Sequence, residues 1–591
     1  MSSGRKPGTP LLVWRVWRTV PAPATAMAII TWAAAGLPGL QVALTANIVE
    51  GAIEYIDGSA SLSAIAVPLL LTAGIACLIQ LSSSTATYFS GVASLQFGFV
   101  SSMQVMRRAT SLGLPDYENP EQYNRLQRAV AETQSGRPFS LLTGFVQVVG
   151  SSITVVSVGF ALFQWSPLAA LIALISPLPA AGVAIFFGSL GWKVQSERAE
   201  RYRETAYLQW LATTDQAHKD VSHFGLGPQL LERYRNWSTG FLAQDKRILW
   251  RQERGLLSAN LIGAIGASAA LFIAATTVTG VAVAGALAAF LQALGSLGAT
   301  SRALLMGIAS LHQNALFAKN MYVFLDDVEE RLPGGELDFP AQVRSGITFE
   351  NVTFVYPGTD RAVLRDVSFT IPAGRITAVV GENGAGKSTL IKLLARLYQP
   401  TSGRILVDGR DLCSFSLSSL QERVGAVFQD FVKFEFSVSE NLQFGAVGRS
   451  LPPHEVQEAL RDVGLGPAVA KLHNGVETRL GRRFDGAEQL SVGHWQRLAV
   501  ARARIGSRSV LLLDEPSASL DNRAEMNLMG LLRDSSSDLT QLLVTHSSAS
   551  AGAADHVVVL ADGEVVEMGE PGRLLLERGA LYDLMSQEDP S

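Results

Sequence analysis

The sequence predicts two unlike halves: an α-helical six-span membrane domain, then an α/β domain built around a phosphate-binding P-loop. Three observations carry this. Long stretches of the first half lack Lys and Arg. Strand-like and helical runs alternate beyond residue 346. One segment, Gly381 to Thr389 (GENGAGKST), fits G-x-x-x-x-G-K-[ST].

The chain has 591 residues, too many for one ordinary core. Hydrophobic residues make up 48% and charged residues 17%, little charge for a soluble protein. The formal net charge of -4 argues against a nucleic-acid partner. Cys77 lies in an apolar run and Cys413 in the soluble half, so no disulfide framework is expected. The basic start, with Arg5, Lys6, Arg15 and Arg18, precedes an apolar stretch too long for a signal h-region. It is read as a first membrane helix, with no cleavable signal.

No Lys or Arg stands between Arg18 and Arg107, between Arg137 and Lys193, or between Arg254 and Arg302. Each gap holds two spans of roughly 20 to 25 residues. Helices are expected near 22–49, 64–90, 138–163, 167–191, 252–278 and 281–312. The breaks within pairs are short; the first carries Glu54 and Asp57 and no basic residue. Basic residues concentrate in the longer connections, Arg107 to Arg137 and Lys193 to Arg254. That asymmetry places the N-terminus and both connections in the cytoplasm. Pro177 and Pro179 fall within a span and are candidates for a kink. Each connection has a break suited to a short transverse helix, at Leu114 to Leu126 and at His218 to Tyr234. Asp326 to Arg331 and Pro333 to Gly335 read as a linker. The expected division is a cytoplasmic segment 1–21, a membrane domain 22–326, a linker 327–345 and a soluble domain 346–591.

The P-loop follows an apolar strand candidate, Ile376 to Val380, and precedes a helical run, Leu390 to Leu397. Glycines Gly381, Gly384 and Gly386 let the backbone wrap so that N–H groups, including those around Asn383 and Thr389, converge on phosphate oxygens. The helix start adds donors. Lys387 is expected on the β- and γ-phosphates of ATP and Ser388 on Mg²⁺. A second apolar strand, Val510 to Asp514, ends in two carboxylates. Asp514 suits Mg²⁺, directly or through water, and Glu515 suits a general base acting on water.

With these motifs in place, residues 346–591 resemble the nucleotide-binding domain of the ATP-binding cassette superfamily. The whole chain resembles a bacterial exporter half-transporter. The resemblance implies further roles. Tyr356 in FVYPG is similar to the aromatic that stacks on adenine. Gln429 in AVFQD is similar to the glutamine that senses Mg²⁺ and water. His546 in LLVTH is similar to the switch histidine at the γ-phosphate. Asp521 in SASLD is similar to the residue that bridges to the partner domain. Ser491 and Gly493 stand in the signature segment, which reads LSVGH rather than LSGGQ. Val492 and His494 replace a glycine and a glutamine, and a β-branched valine there hinders close backbone approach.

The resemblance further implies a dimer in which each ATP lies between the P-loop of one chain and the signature of the other. It also implies that the second transverse helix rests on the partner's domain. An intact Glu515 beside a departed signature fits one subunit of an unequal pair. It also fits a homodimer in which the variation is harmless, the reading favoured because only one motif departs. Spans almost free of charge suit amphiphilic cargo, such as a drug, a lipid or a modified peptide. FGLGPQLLERY and LGRRFDG resemble segments of exporters of peptide natural products, and no cargo-trimming protease domain is read in the chain. The expected place is the cell membrane, in contact with the lipid bilayer. Two further readings stay open: a non-transporting ATP-dependent regulator or gated channel, and an importer of the same architecture.

Overall fold

The computed structural model describes residues 8–278, 282–327, 334–518, 522–534 and 539–588. The chain divides into two compact units. The first holds Met1–Thr110 and Asn124–Val328, the second Ser111–Tyr123 and Glu329–Ser591.

Unit one is helical. Its helices are α1 (Thr9–Thr19), α2 (Pro21–Ala34), α3 (Leu37–Ile56) and α4 (Ser63–Ala109), with α5 (Leu114–Glu118) lying in the second unit. It continues through α6 (Pro120–Ser135), α7 (Arg137–Phe163), α8 (Pro167–Ile175), α9 (Leu178–Glu197) and α10 (Ala199–Thr213). It ends with α11 (Asp215–His223), α12 (Gly227–Thr277) and α13 (Ala282–Asp326). Among the described residues, 6 helical stretches are long and apolar enough to cross a membrane: Pro21–Ile56, Ser63–Ala109, Arg137–Phe163, Pro167–Phe187, Gly227–Thr277 and Val283–Asp326.

Several elements run further than their apolar cores. α4 has 47 residues and α12 has 51. At about 1.5 Å per residue, each is roughly 70 to 77 Å long, over twice a hydrocarbon core. The basic stretches expected as connections are largely continuations of these helices. The turn expected at Thr279 and Gly280 lies outside the described residues.

The prolines at 177 and 179 do more than kink the fourth span. Pro177 stands in the break between α8 and α9, and Pro179 is the second residue of α9. Neither residue can donate to the carbonyl four positions back. Ser176 Oγ donates instead to Ala173 O at 3.0 Å.

The transverse helices are shorter than expected. The first is only α5, capped by Gly113, whose N–H donates to Asp116 at 2.8 Å. It stops at Asn119, which is extended because Pro120 disfavours a helical predecessor. Pro120 to Leu126 belong to α6. The second is α11, three residues earlier than expected. Gly225, at φ +61°, ends it and turns the chain into α12.

Small residues set the spacing of the membrane helices. In the cluster around Val42, Phe290 and Leu297, nine of the fourteen buried residues are alanines. A Cβ on Gly39 would lie 2.5 Å from Ser157 O, and one on Gly285 2.8 Å from Ala46 O. Without a hydrophobic drive between helices in lipid, such close approach is what association relies on. Asp326 is still helical. It pairs with Arg15 at 2.5 Å, and Asp327 pairs with Arg125 at 2.6 Å. Residues 328–333 of the expected linker lie outside the described residues.

Unit two is α/β. Its strands are β1 (Ile347–Val355), β2 (Ala362–Ile371), β3 (Ile376–Gly381), β4 (Ser402–Val407) and β5 (Arg410–Asp411). They continue with β6 (Val424–Val427), β7 (Val510–Asp514), β8 (Thr540–Val544), β9 (His556–Ala561) and β10 (Glu564–Gly569). One sheet has the order β2-β1-β4-β5, the other β10-β9-β3-β8-β7-β6. In the larger sheet, β9, β3, β8, β7 and β6 run parallel. Strands β3, β7 and β8 are buried at every position, as a parallel sheet covered on both faces requires.

Candidate functional site

The parallel strands end on one edge, and the candidate residues follow those ends. Val379 on β3 pairs with Val544 on β8, which pairs with Asp514 on β7. Leu513 on β7 pairs with Val427 on β6. This register sets Gly381 at the end of β3 and Thr545, Glu515 and Phe428 each just beyond its strand. Crevices at the carboxyl ends of such strands are where α/β sheets bind ligands.

The P-loop turns from β3 into α14 (Lys387–Leu394). Gly386 has φ +99°, and a Cβ there would lie 2.7 Å from the Leu364 side chain. Only glycine fits that conformation and that space. Lys387 Nζ folds back and donates to Gly381 O at 2.7 Å and Glu382 O at 2.8 Å. Burial pushes its pKa down, against the pull of Glu515 and Asp514.

Ser388 Oγ donates to Asp514 Oδ1 at 3.2 Å. Asp514 is buried, and that desolvation raises its pKa from the ordinary value; the Ser388 bond opposes it. A hydroxyl beside a buried carboxylate, with the Gln429 amide nearby through Glu515, is a set of hard oxygen donors. That set fits Mg²⁺, which takes one or two carboxylates and completes its shell with phosphates and water.

Glu515 is the hub. It has φ +49°, uncommon for a residue with a side chain, and its N–H donates to Val544 O at 2.9 Å. Its carboxylate accepts from Gln429 Nε2 at 3.0 Å and lies 3.0 Å from His546 Nε2. Its backbone carbonyl accepts from Gln496 Nε2 at 2.9 Å. A cavity of about 410 Å³ opens beside the P-loop, bordered by Gly381, Asn383, His546 and, from the last helix, Met585.

Tyr356 follows β1 and reaches the P-loop helix: its hydroxyl lies 3.0 Å from Thr389 Oγ1. Lys392 Nζ stands 5.4 Å from its ring centroid. Tyr356 also meets Phe354 and Tyr398 edge to face, at 4.9 and 5.4 Å. The buried Tyr398 hydroxyl donates to Glu118 of α5. Burial and that carboxylate hold the hydroxyl's pKa well above its ordinary value. Leu114 packs against the same core.

Ser491 caps the helix Val492–Arg504, accepting from His494 N at 3.2 Å. Ser491 and Gly493 do not border the P-loop cavity. Val492 opens the helix without a positive φ, and its side chain is exposed. The fold of the chain itself thus tolerates valine there. Burial pushes the His494 pKa down. Asp521 lies outside the described residues. The structure therefore gathers Gln429, Asp514, Glu515 and His546 with the P-loop. Sequence reasoning missed Gln496, Tyr398 and Glu118 as neighbours of the site, since none stands in a phosphate-binding motif.

The ABC transporter family matches residues 364–518. The subtilin transport ATP-binding protein SpaT of Bacillus subtilis is 29% identical over 87% of this chain and 84% of its own length. The nisin transport ATP-binding protein NisT of Lactococcus lactis is 28% identical, over 83% and 82%. An ATP-dependent lipid A-core flippase of Xanthomonas campestris is 33% identical over 66% of this chain and 67% of its own.

The chain belongs to the ABC exporter family.

The exporter shares its fold with a bacterial Atm1-family ABC exporter solved with ATP bound, at TM-score 0.73 and 22% identity over 98% of this chain and 99% of that one. It is a multi-pass membrane protein with a fused ATP-binding domain that couples ATP hydrolysis to export.

Proposed function

We propose that this exporter moves an amphiphilic or hydrophobic cargo, a drug, lipid or modified peptide, out of the cytoplasm by alternating access. In this reading the N-terminus and the ATP-binding unit are cytoplasmic. The observation that carries it is the convergence of Gln429 and His546 on Glu515, one residue beyond the buried Asp514. The relatives that move subtilin, nisin and lipid A-core support the cargo class.

The roles follow from position. Lys387 exchanges its loop carbonyls for the β- and γ-phosphates. Gly381, Asn383, Gly384, Gly386 and Thr389 shape the phosphate cradle, and Tyr356 offers adenine a ring face. Ser388, Gln429 and Asp514 would hold Mg²⁺, which supplies charge neutralisation at the phosphates. Glu515 accepts the proton of the attacking water. His546 holds the γ-phosphate and, with Gln429, orients Glu515. Ser491 and Gly493, at a helix start, serve the ATP held by the second half-transporter, whether a copy or a related subunit. Asp521 bridges to that subunit.

Closure of the dimer is favoured because ATP binds that state better. Glu515→Gln is expected to leave ATP binding intact and to cut turnover by about 10² to 10⁴, the range for a general base. Release of phosphate by that variant at the unaltered rate would remove Glu515 from its role. Uptake of cargo into inverted vesicles, driven by ATP and lost with a non-hydrolysable analogue, tests export itself.

A further inference from the structure

Within unit one, a cavity of about 930 Å³ lies among α8, α9, α12 and α13. Its volume is at the upper end for a small-molecule site. Two independent features meet there.

The first is the broken fourth span. Ser176 and Pro177, at the break between α8 and α9, line the cavity. α12 comes close enough that a Cβ on Gly263 would sit 2.9 Å from Ser176 O. Interrupted membrane helices expose backbone polar groups, and transporters place substrate sites at such interruptions.

The second is Arg302. It is the only Lys or Arg between Arg254 and Lys319. It lines the same cavity and is exposed there. Among the described residues it has no hydrogen-bond or ion-pair partner. Counting nineteen residues from Val283 at about 1.5 Å each, it lies roughly 28 Å along the helix, near the far edge of a hydrocarbon core of about 30 Å. Arg302 is thus a rare charge in spans that are otherwise nearly free of it. An ionisable group in a span faces a cavity and marks a path for what it binds.

Leu257, Leu294, Leu297 and Met306 line the cavity with Arg302. At its rim stand Glu253 and Arg254, the latter 4.5 Å from the Trp250 ring. The two arginines outnumber the one carboxylate.

We propose that this cavity binds a lipid-like amphiphile with an anionic head, the head against Arg302 and the apolar body against the leucines toward the break at Ser176. This deepens the export reading and rests on it, because it names the cargo chemistry. An amphiphile in the cytoplasmic leaflet already stands with its head at that depth and its tail toward the midplane.

The test measures equilibrium binding of labelled dodecyl phosphate and dodecyltrimethylammonium to the whole chain in nanodiscs of zwitterionic lipid, with empty nanodiscs subtracted. Dodecyl phosphate is expected to bind more tightly than the ammonium. Arg302→Gln is expected to weaken dodecyl phosphate by at least about tenfold, the scale of a lost charge-assisted bond. Arg302→Lys should stay within about threefold, which separates charge from misfolding, and Arg302→Glu should reverse the preference. Unchanged affinity in Arg302→Gln overturns the proposal. So does wild-type preference for the ammonium, which would give the site to Glu253. Inorganic phosphate competing as well as dodecyl phosphate would remove the apolar half of the site. Binding of an acidic peptide in place of dodecyl phosphate would also overturn it. Failure of binding with ATP-driven uptake intact sinks this proposal alone, whereas loss of ATP-driven uptake sinks the export reading.

Discussion

The two units bury different side chains for different reasons. The membrane cluster around Phe290 is mostly alanine, whereas the cluster beneath the P-loop has one alanine, Ala385, among twenty-eight buried residues. In water, bulk is what stabilises: each large apolar side chain removed from solvent contributes about 1.5 to 3 kcal/mol. In lipid the tails are as apolar as leucine, so bulk gains nothing between helices and closeness gains contact. Many large side chains of the membrane unit point outward, as Leu70 and Phe272 do, while a few such as Phe290 and Leu297 stay buried among the alanines. The nucleotide unit uses its bulky core to hold strand ends still, and its chemistry sits at those ends. The membrane unit keeps its polar groups sparse and gathers them at cavities.

The contrast can be broken in order of expected effect. Lys387→Ala should reduce ATP affinity by two or more orders of magnitude and abolish transport, while the membrane helices stay assembled. Nucleotide binding alongside detergent-resistant proteolysis checks this, and retained transport would overturn the P-loop role. Leu512→Ala, beneath Asp514 on β7, should cost about 2 to 5 kcal/mol in unfolding of the soluble unit. A change below 0.5 kcal/mol would mean that this core is less tightly packed than its burial implies. In the membrane unit the damaging direction reverses. Gly39→Leu should cost about 1 to 3 kcal/mol, because its Cβ would meet Ser157 O. Leu70→Ala on the outer face should be near neutral in the same thermal assay. Smallest is Tyr398→Phe, which deletes the bond to Glu118 and keeps the ring against Tyr356. It should cost about 0.5 to 1.5 kcal/mol or less. If α5 reads nucleotide occupancy through that ring, ATP turnover per cargo moved should rise; an unchanged ratio would make Tyr398 a packing residue only.

Much was legible in the chain itself because its signals are local. Missing charge marks a span whatever it packs against, and a glycine-rich turn between an apolar strand and a helix marks a phosphate cradle. That is why the six spans and the β3-to-α14 turn stand where the sequence puts them. Boundaries were less legible where two local signals compete. Asn119–Pro120 stopped α5 early, and Gly225 moved the second transverse helix to α11.

The sequence by itself determined which half lives in lipid, which segment cradles phosphate and which carboxylates stand at the end of β7. Only the tertiary structure decided what those groups touch. Gln429, Glu515 and His546 are separated by dozens of residues and meet because parallel strands β6, β7 and β8 end on one edge. Arg302 and the break at Ser176 share a cavity because α13 and α12 both border it, and Gly263 lets α12 approach Ser176. Such meetings arise from the register of distant segments, and register is a property of packing rather than of any local run of residues.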